Sequence, residues 1–167
     1  MLPAMRCFVA AFLPAAVRDT LVALRPAVDG VRWVAPEKYH VTLRFLGELD
    51  AGAAAFWREA AEALDGRFPV ECRVVAIDGF PNSRRARVVA LRVDSGGLLE
   101  VLADSLPPGG HDARRFRAHV TLGRARRRPI RLPDPRPVDI PFRLHGAGLY
   151  RTVGGRYERI GPGMPLA

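Results

Sequence analysis

The 167-residue sequence predicts an α+β fold: two related lobes of mainly antiparallel β-sheet, flanked by a few helices and sharing one central cleft. Three observations lead there. Segments with strand-like alternation outnumber those with helical periodicity, which is the pattern of α+β proteins with antiparallel sheets. No low-complexity linker divides the chain, so residues 1–167 read as a single domain. The word His-Val-Thr-Leu occurs twice, at 40–43 and 119–122, once in each half.

The elements follow in order. Residues 6–13 are apolar and read as a buried strand. Pro14 suits the first position of a helix, with Val17, Leu21, Leu24 and Val28 as its stripe and Pro26 and Gly30 at its end. Val31–Val34 is a short strand, and 39–46 is the first motif strand, closed by Gly47. Asp50 is placed to cap a helix over 51–65 whose inner face is Trp57, Ala60, Ala61 and Leu64, stopped by Gly66. Strands are expected at 70–78 and 86–93, around a turn at 79–83. A third helix over 97–106 would turn Leu98, Val101, Leu102 and Leu106 inward. Pro107–Gly110 ends it and leads into a loop carrying His111. Residues 116–123 form the second motif strand, and the Arg- and Pro-rich run 124–137 reads as an exposed loop. Two or three strands fill 138–160, with His145 in one of them and a hairpin turn at Gly154–Gly155.

Composition bounds the function. The hydrophobic fraction of 49% and the charged fraction of 26% are ordinary for a globular chain. The net charge of +9 and pI near 11.0 favour anionic partners, RNA and nucleotides first. Lys38 is the lone lysine, so the basic residues are nearly all arginine, and part of the charge reflects a coding bias. Cys7 and Cys72 lack metal-ligand spacing and read as buried thiols. The apolar N-terminus reads as a strand rather than a leader, and no stretch is long enough to cross a membrane as a helix. A cytoplasmic monomer without membrane contact is the expectation.

The repeated word carries the chemistry. Alternate residues of a strand face opposite ways, so His40 pairs with Thr42, and His119 with Thr121, on one side. Val41, Leu43, Val120 and Leu122 supply the other, core-facing side. Imidazole titrates near neutral pH and can give or take a proton. A threonine hydroxyl can hold an anionic oxygen. Two such faces brought together would flank a tetrahedral phosphate, one histidine activating water and the other protonating the departing oxygen. Arg44 would share the His40 face if its strand ran straight. Arg124, five residues beyond His119, would point away unless Gly123 hosts a bulge. Either guanidinium matches phosphate oxygens.

These residues resemble those of the two-histidine (2H) phosphoesterases, and most closely the RNA 2′,3′-cyclic phosphodiesterases also called 2′-5′ RNA ligases. The similarity runs through Arg6–Ala10, His40–Glu48, Gly79–Asn82, Arg87–Leu91, Phe116–Arg124 and Leu149–Tyr157, with Ala118 where the family usually has proline. The resemblance implies two pseudo-symmetric lobes, each lining a groove with one motif strand. It implies metal-free and cofactor-free hydrolysis of 2′,3′-cyclic phosphate ends of RNA to 2′-phosphomonoesters. It also implies His40 as proton donor, His119 as proton acceptor, and Thr42, Thr121 and Arg124 as substrate-binding residues, with Arg44 a further candidate.

Other readings compete. The same site run backwards is 2′-5′ RNA ligation, a secondary activity. A small cyclic nucleotide or a 2′-5′ linked oligonucleotide is an alternative substrate. A non-catalytic RNA-binding module would draw on the basic charge and on Phe8, Phe45 and Tyr150, though it would need no matched histidines. A metal site lacks ligands, since each motif offers one histidine and no acidic residue.

Overall fold

A computed structural model of the chain describes residues 4–110 and 116–162; His111 lies outside them. The elements are β1 (Met5–Phe12), α1 (Ala15–Val22), β2 (Val31–Trp33), β3 (His40–Leu49), α2 (Ala51–Glu62), β4 (Val70–Phe80), β5 (Val88–Asp94), α3 (Leu98–Ser105), β6 (His119–Ala125), β7 (Arg136–Leu144), β8 (Gly148–Val153) and β9 (Arg156–Arg159). Strands and helices succeed one another in the order expected. Every pairing is antiparallel.

The sheet runs β7-β4-β5-β6-β3-β1-β8-β9, with β2 also paired to β6. It therefore consists of two four-stranded halves whose inner strands, β6 and β3, carry the two motifs. The halves join through one residue pair, Val41 opposite Val120. These are equivalent positions of the repeated word, so an approximate twofold axis passes between them.

One face of the sheet is covered. α2 packs on β1, β3 and β8, and α3 against β3. Beneath them lies a core that includes Val9, Ala11, Val41, Leu43, Val74, Leu91, Val120 and Leu122. The apolar half of each motif word thus anchors its strand. Cys7 and Cys72 are free and buried, and burial pushes their thiols up to about 11 and about 12, so neither is a thiolate at neutral pH.

Local chemistry explains most element ends. Asp50 caps α2 by accepting a hydrogen bond from the Ala53 amide at 2.8 Å, as its position predicts. Gly154 and Gly155 both have positive φ and turn β8 into β9, as expected. Several expectations are corrected. β3 runs through Gly47 to Leu49 instead of closing there, and α2 ends at Glu62, short of Gly66. Pro14 precedes α1 in extended conformation instead of occupying its first turn, and the helix stops at Val22. Pro26 disfavours helical backbone at Arg25, so Leu24 and Val28 pack on the core from beyond the helix. In α3, Leu99, Leu102 and Ala103 are buried with Leu106, while Leu98 and Val101 are about half exposed, at 47% and 49%. Glu100 and Asp104 lie outside the buried stripe, and Leu99, Leu102, Ala103 and Leu106 keep the i, i+3, i+4, i+7 spacing, so the true stripe differs from the expected one in which leucine leads it. The Ser95 hydroxyl fixes its start by accepting from the Leu99 amide.

Two bulges decide which way the arginines face. On β3, Thr42 opposes Ala10 and Arg44 opposes Val9, so Leu43 is the extra residue. On β6, Thr121 opposes Ala90 and Gly123 opposes Val89, so Leu122 is the extra residue. The bulge thus recurs at the same letter of the repeated word. A one-residue bulge reverses the facing of everything beyond it. Arg44 is turned to the covered face. There it donates to the carbonyls of Ala103, Pro107 and Gly109 at 3.0, 3.0 and 2.8 Å, tying down the end of α3. The expectation that Arg44 shares the His40 face is therefore corrected: the guanidinium is a structural clamp. Arg124 is turned the opposite way, onto the His119 face.

Two stability measurements check this account. Arg44→Ala leaves three carbonyls without their charged donor and should lower stability by about 2 kcal/mol, read as a fall in melting temperature. A Cβ at position 123 would lie 2.6 Å from Val31 Cγ1 and 2.7 Å from Trp33 Cε3. Gly123→Ala should therefore push β2 off β6 and lower stability by roughly 1–3 kcal/mol in urea denaturation; an unchanged midpoint would contradict the close approach.

Candidate active site

The open face of the sheet carries the polar half of both words. Residues directly opposite in an antiparallel pair share a face, so the Val41–Val120 pairing places His40 and Thr42 on the same side as Thr121 and His119. The two histidines then sit diagonally across the seam, each next to the threonine of the other strand. Diagonal neighbours in such a ladder lie about 7–8 Å apart at Cα. The His119 and Arg124 charges both bear on the His40 imidazole.

Both imidazoles are oriented in the same way. His40 Nδ1 lies 2.6 Å from the Lys38 carbonyl oxygen, and His119 Nδ1 lies 2.7 Å from that of Arg117. A carbonyl only accepts, so each Nδ1 carries its proton and donates it. The tautomer is thereby fixed, and in the neutral ring Nε2 is left as the atom that takes up or releases a proton. His40 Nε2 lies 3.0 Å from Thr42 Oγ1 and, when neutral, accepts that hydroxyl's proton.

The surroundings of the two rings differ. His40 is walled by aromatics: Phe12 stacks on it at 4.9 Å between centroids, Phe8 lies at 5.2 Å, and Tyr157 meets it edge-on at 5.4 Å. Burial holds the His40 imidazole below the ordinary histidine value of 6.5, and the His119 and Arg124 charges push it the same way against the Lys38 carbonyl. His119 sits by the edge of Phe80 at 5.1 Å, and Arg92 occupies the position opposite it on β5. Arg92 is ion-paired with Asp78, so its charge is largely neutralised.

Ala10 lies between Phe8 and Phe12 on the same face, opposite Thr42, and Ala90 lies opposite Thr121. Small side chains beside each threonine leave the hydroxyls open to an incoming anion. Arg124 is exposed and completes a set of donors around the seam. Phe8 is buried and Tyr150 half-buried, whereas Phe45 is 47% exposed. His145 is exposed in the connection between β7 and β8, outside any strand. Among the described residues, no three His, Cys, Asp or Glu side chains converge as metal ligands would.

Two features lay beyond sequence reasoning. The aromatic wall around His40 draws Tyr157 from the far end of the chain. Arg32 lies directly opposite Arg124 through the β2–β6 pairing. No local pattern announces either. The carbonyls that orient the histidines belong to residues two positions before each of them, a regularity visible only once both rings are placed.

Comparison with known proteins bears on the family and the fold. Residues 12–90 match the model of the LigT-like phosphoesterases. An RNA 2′,3′-cyclic phosphodiesterase of Archaeoglobus fulgidus is 31% identical over 138 residues, covering 78% of each chain. The crystal structure of TT0787 of Thermus thermophilus superimposes with a TM-score of 0.76 at 27% identity, covering 94% of this chain and 96% of that one. Escherichia coli LigT in complex with 3′-AMP gives a TM-score of 0.67 at 28% identity, with 95% and 96% covered. With its duplicated motif strands paired at the seam of an α+β sheet, the chain belongs to the LigT-like phosphoesterase family.

Proposed function

We propose that the chain is an RNA 2′,3′-cyclic phosphodiesterase that opens the cyclic phosphate to a 2′-phosphomonoester by general acid–base catalysis. The observation that carries this reading is the pair of identically oriented imidazoles on one face of the sheet, flanked by two threonine hydroxyls and Arg124. The cyclic phosphate sits over the seam between Thr42 and Thr121, whose hydroxyls donate to the non-bridging oxygens. Arg124 balances its charge. His119 Nε2 takes a proton from water as the water oxygen attacks phosphorus. The bond from phosphorus to O3′ breaks, and His40 Nε2 delivers its proton to that oxygen. Each transfer contributes about 10²–10⁴-fold. The name of the Archaeoglobus relative and the nucleotide bound by Escherichia coli LigT support RNA ends as the substrate class. The same reading takes the 167 residues as one bilobal unit, a monomer of the cytoplasm, with ligation as the reverse reaction on the same site.

His40 must be protonated to act as the acid, although the free site favours its neutral form. The bound phosphate resolves this. An anion beside the ring stabilises the imidazolium and offsets the Arg124 charge.

Incubation in chelator with RNA bearing a 2′,3′-cyclic end should yield the 2′-phosphate. His40→Ala and His119→Ala should each lower turnover by about 10²–10⁴-fold while the protein stays folded. A 3′-phosphate product, or a requirement for metal, would overturn the mechanism. The electrostatics are checked by NMR titration of the imidazole C2 protons. His40 should titrate below 6.5 in the free protein, and its midpoint should rise in Arg124→Gln and on adding inorganic phosphate. A midpoint that ignores both changes would rule out the coupling.

A further inference from the structure

We propose that a row of arginines leading away from the seam, Arg32, Arg126, Arg127 and Arg128 beyond Arg124, holds the phosphates of the RNA chain upstream of its cyclic end. This rests on the phosphodiesterase reading and extends it to residues outside the catalytic pair.

Arg124 follows the β6 bulge on the His119 face, and Arg32 of β2 lies directly opposite it, sharing that face. Beyond β6 the ladder continues for one more residue, as the Arg126 amide donates to the Gly30 carbonyl at 2.9 Å. Alternation then returns Arg126 to the face of Arg124. Arg127 and Arg128 follow in the turn. Arg32, Arg124, Arg126, Arg127 and Arg128 are all exposed.

Two features make this row fit to hold phosphates. The first, shared with other exposed arginines such as Arg84, Arg85 and Arg156, is charge without a carboxylate partner among the described residues. Arg73, Arg92, Arg143 and Arg151 pair with Asp139, Asp78, Glu71 and Glu158, and Arg58 with Glu62. None of the five arginines of the row pairs with a carboxylate among the described residues. The second is a fixed backbone. Ala125 donates to the Arg87 carbonyl, and Ile130 and Ala86 exchange hydrogen bonds at 2.9 and 2.8 Å, so the Arg126–Arg128 turn is pinned at both ends. A depression of about 470 Å³, lined by Gly30, Arg126, Arg127, Arg128, Pro129 and Ile130, lies at this point, away from the histidines. Its apolar residues offer a resting place for a sugar or base beside the guanidinium groups.

Residues alternating on one strand face are about 6.6–6.8 Å apart, close to the separation of neighbouring phosphates in an extended strand. With Thr121 and Arg124 at the cyclic phosphate, Arg126 and Arg32 can therefore meet the next phosphate of the same RNA chain. Such contacts position the chain and strengthen binding without reading bases.

The test compares two substrates of the wild-type protein: a nucleoside 2′,3′-cyclic phosphate and a single-stranded RNA of about ten nucleotides with the same end. The RNA should show the higher kcat/KM, and its advantage should shrink as salt rises, since each phosphate neutralised contributes about 0.7 to the salt slope. In Arg32→Ala, and in the triple variant Arg126→Ala, Arg127→Ala, Arg128→Ala, the RNA-to-nucleoside ratio of kcat/KM should fall at least tenfold, mainly through KM. Equal salt slopes for the two substrates, or a ratio unmoved by the substitutions, would overturn the proposal. Should the wild-type protein cleave neither substrate, the phosphodiesterase reading fails. The row is then judged by fluorescence anisotropy of a 3′-phosphorylated RNA, whose binding must weaken in the same variants if the row holds phosphates.

Discussion

The pairing of Val41 with Val120 is the constraint on which the site depends. Each valine is buried and each is the second letter of the same four-residue word, so the seam between the halves is also their approximate symmetry axis. Apolar burial on one face and the placing of the two imidazoles on the other are thereby coupled through the pleat of two strands. A slip of one residue along this seam would send the imidazoles into the core and the valines into solvent. Because the ladder between the halves has a single paired position, this register must be held from both sides. β1 and β5 hold it, each pairing along the full motif strand it borders.

The repeated bulge breaks the simple alternation in a useful way. With straight strands, Arg44 would face the phosphate and Arg124 would be buried. The extra Leu43 and the extra Leu122 exchange those roles. The exchange is asymmetric in outcome because the residues after the bulges differ. On β3 the buried position falls to Arg44, which finds three carbonyls at the end of α3. On β6 it falls to Gly123, which lets β2 approach and brings Arg32 beside Arg124. Duplicated backbone geometry thus supports two different surfaces: aromatic at the His40 end, cationic at the Arg124 end.

Much of this was legible in the sequence. The succession of strands and helices follows from alternation, helical spacing and glycine or proline punctuation, all of which act within a few residues. Asp50 as a cap and Gly154–Gly155 as a turn are local chemistry, and both stand. The sharing of a face by His40 and Thr42 needs only strand parity. What was not legible depends on partners far along the chain. The orientation of Arg44 required knowing that β1 pairs across a bulge. The place of Arg32 depended on β2 choosing β6 as its neighbour, and Tyr157 reaches His40 because β8 and β9 fold back beside β1.

The electrostatics of the open face follow from this division. Arg124 has two opposed effects: it draws an anion to the seam, and it disfavours the protonated state of His40. Burial behind the aromatic wall, which removes water from around the ring, is the larger cause of that neutral state, and the Arg124 charge adds to it. Without ligand, the two effects keep His40 neutral and its Nε2 engaged with the Thr42 hydroxyl. On the proposed mechanism, an entering phosphodiester brings its charge to Arg124 and the threonine hydroxyls, and so opposes the repulsion that adds to burial in keeping the imidazole neutral. A neutral ligand of similar shape would not supply that charge. Selectivity for an anionic phosphodiester would in this way rest on the protonation state of the site as well as on its shape.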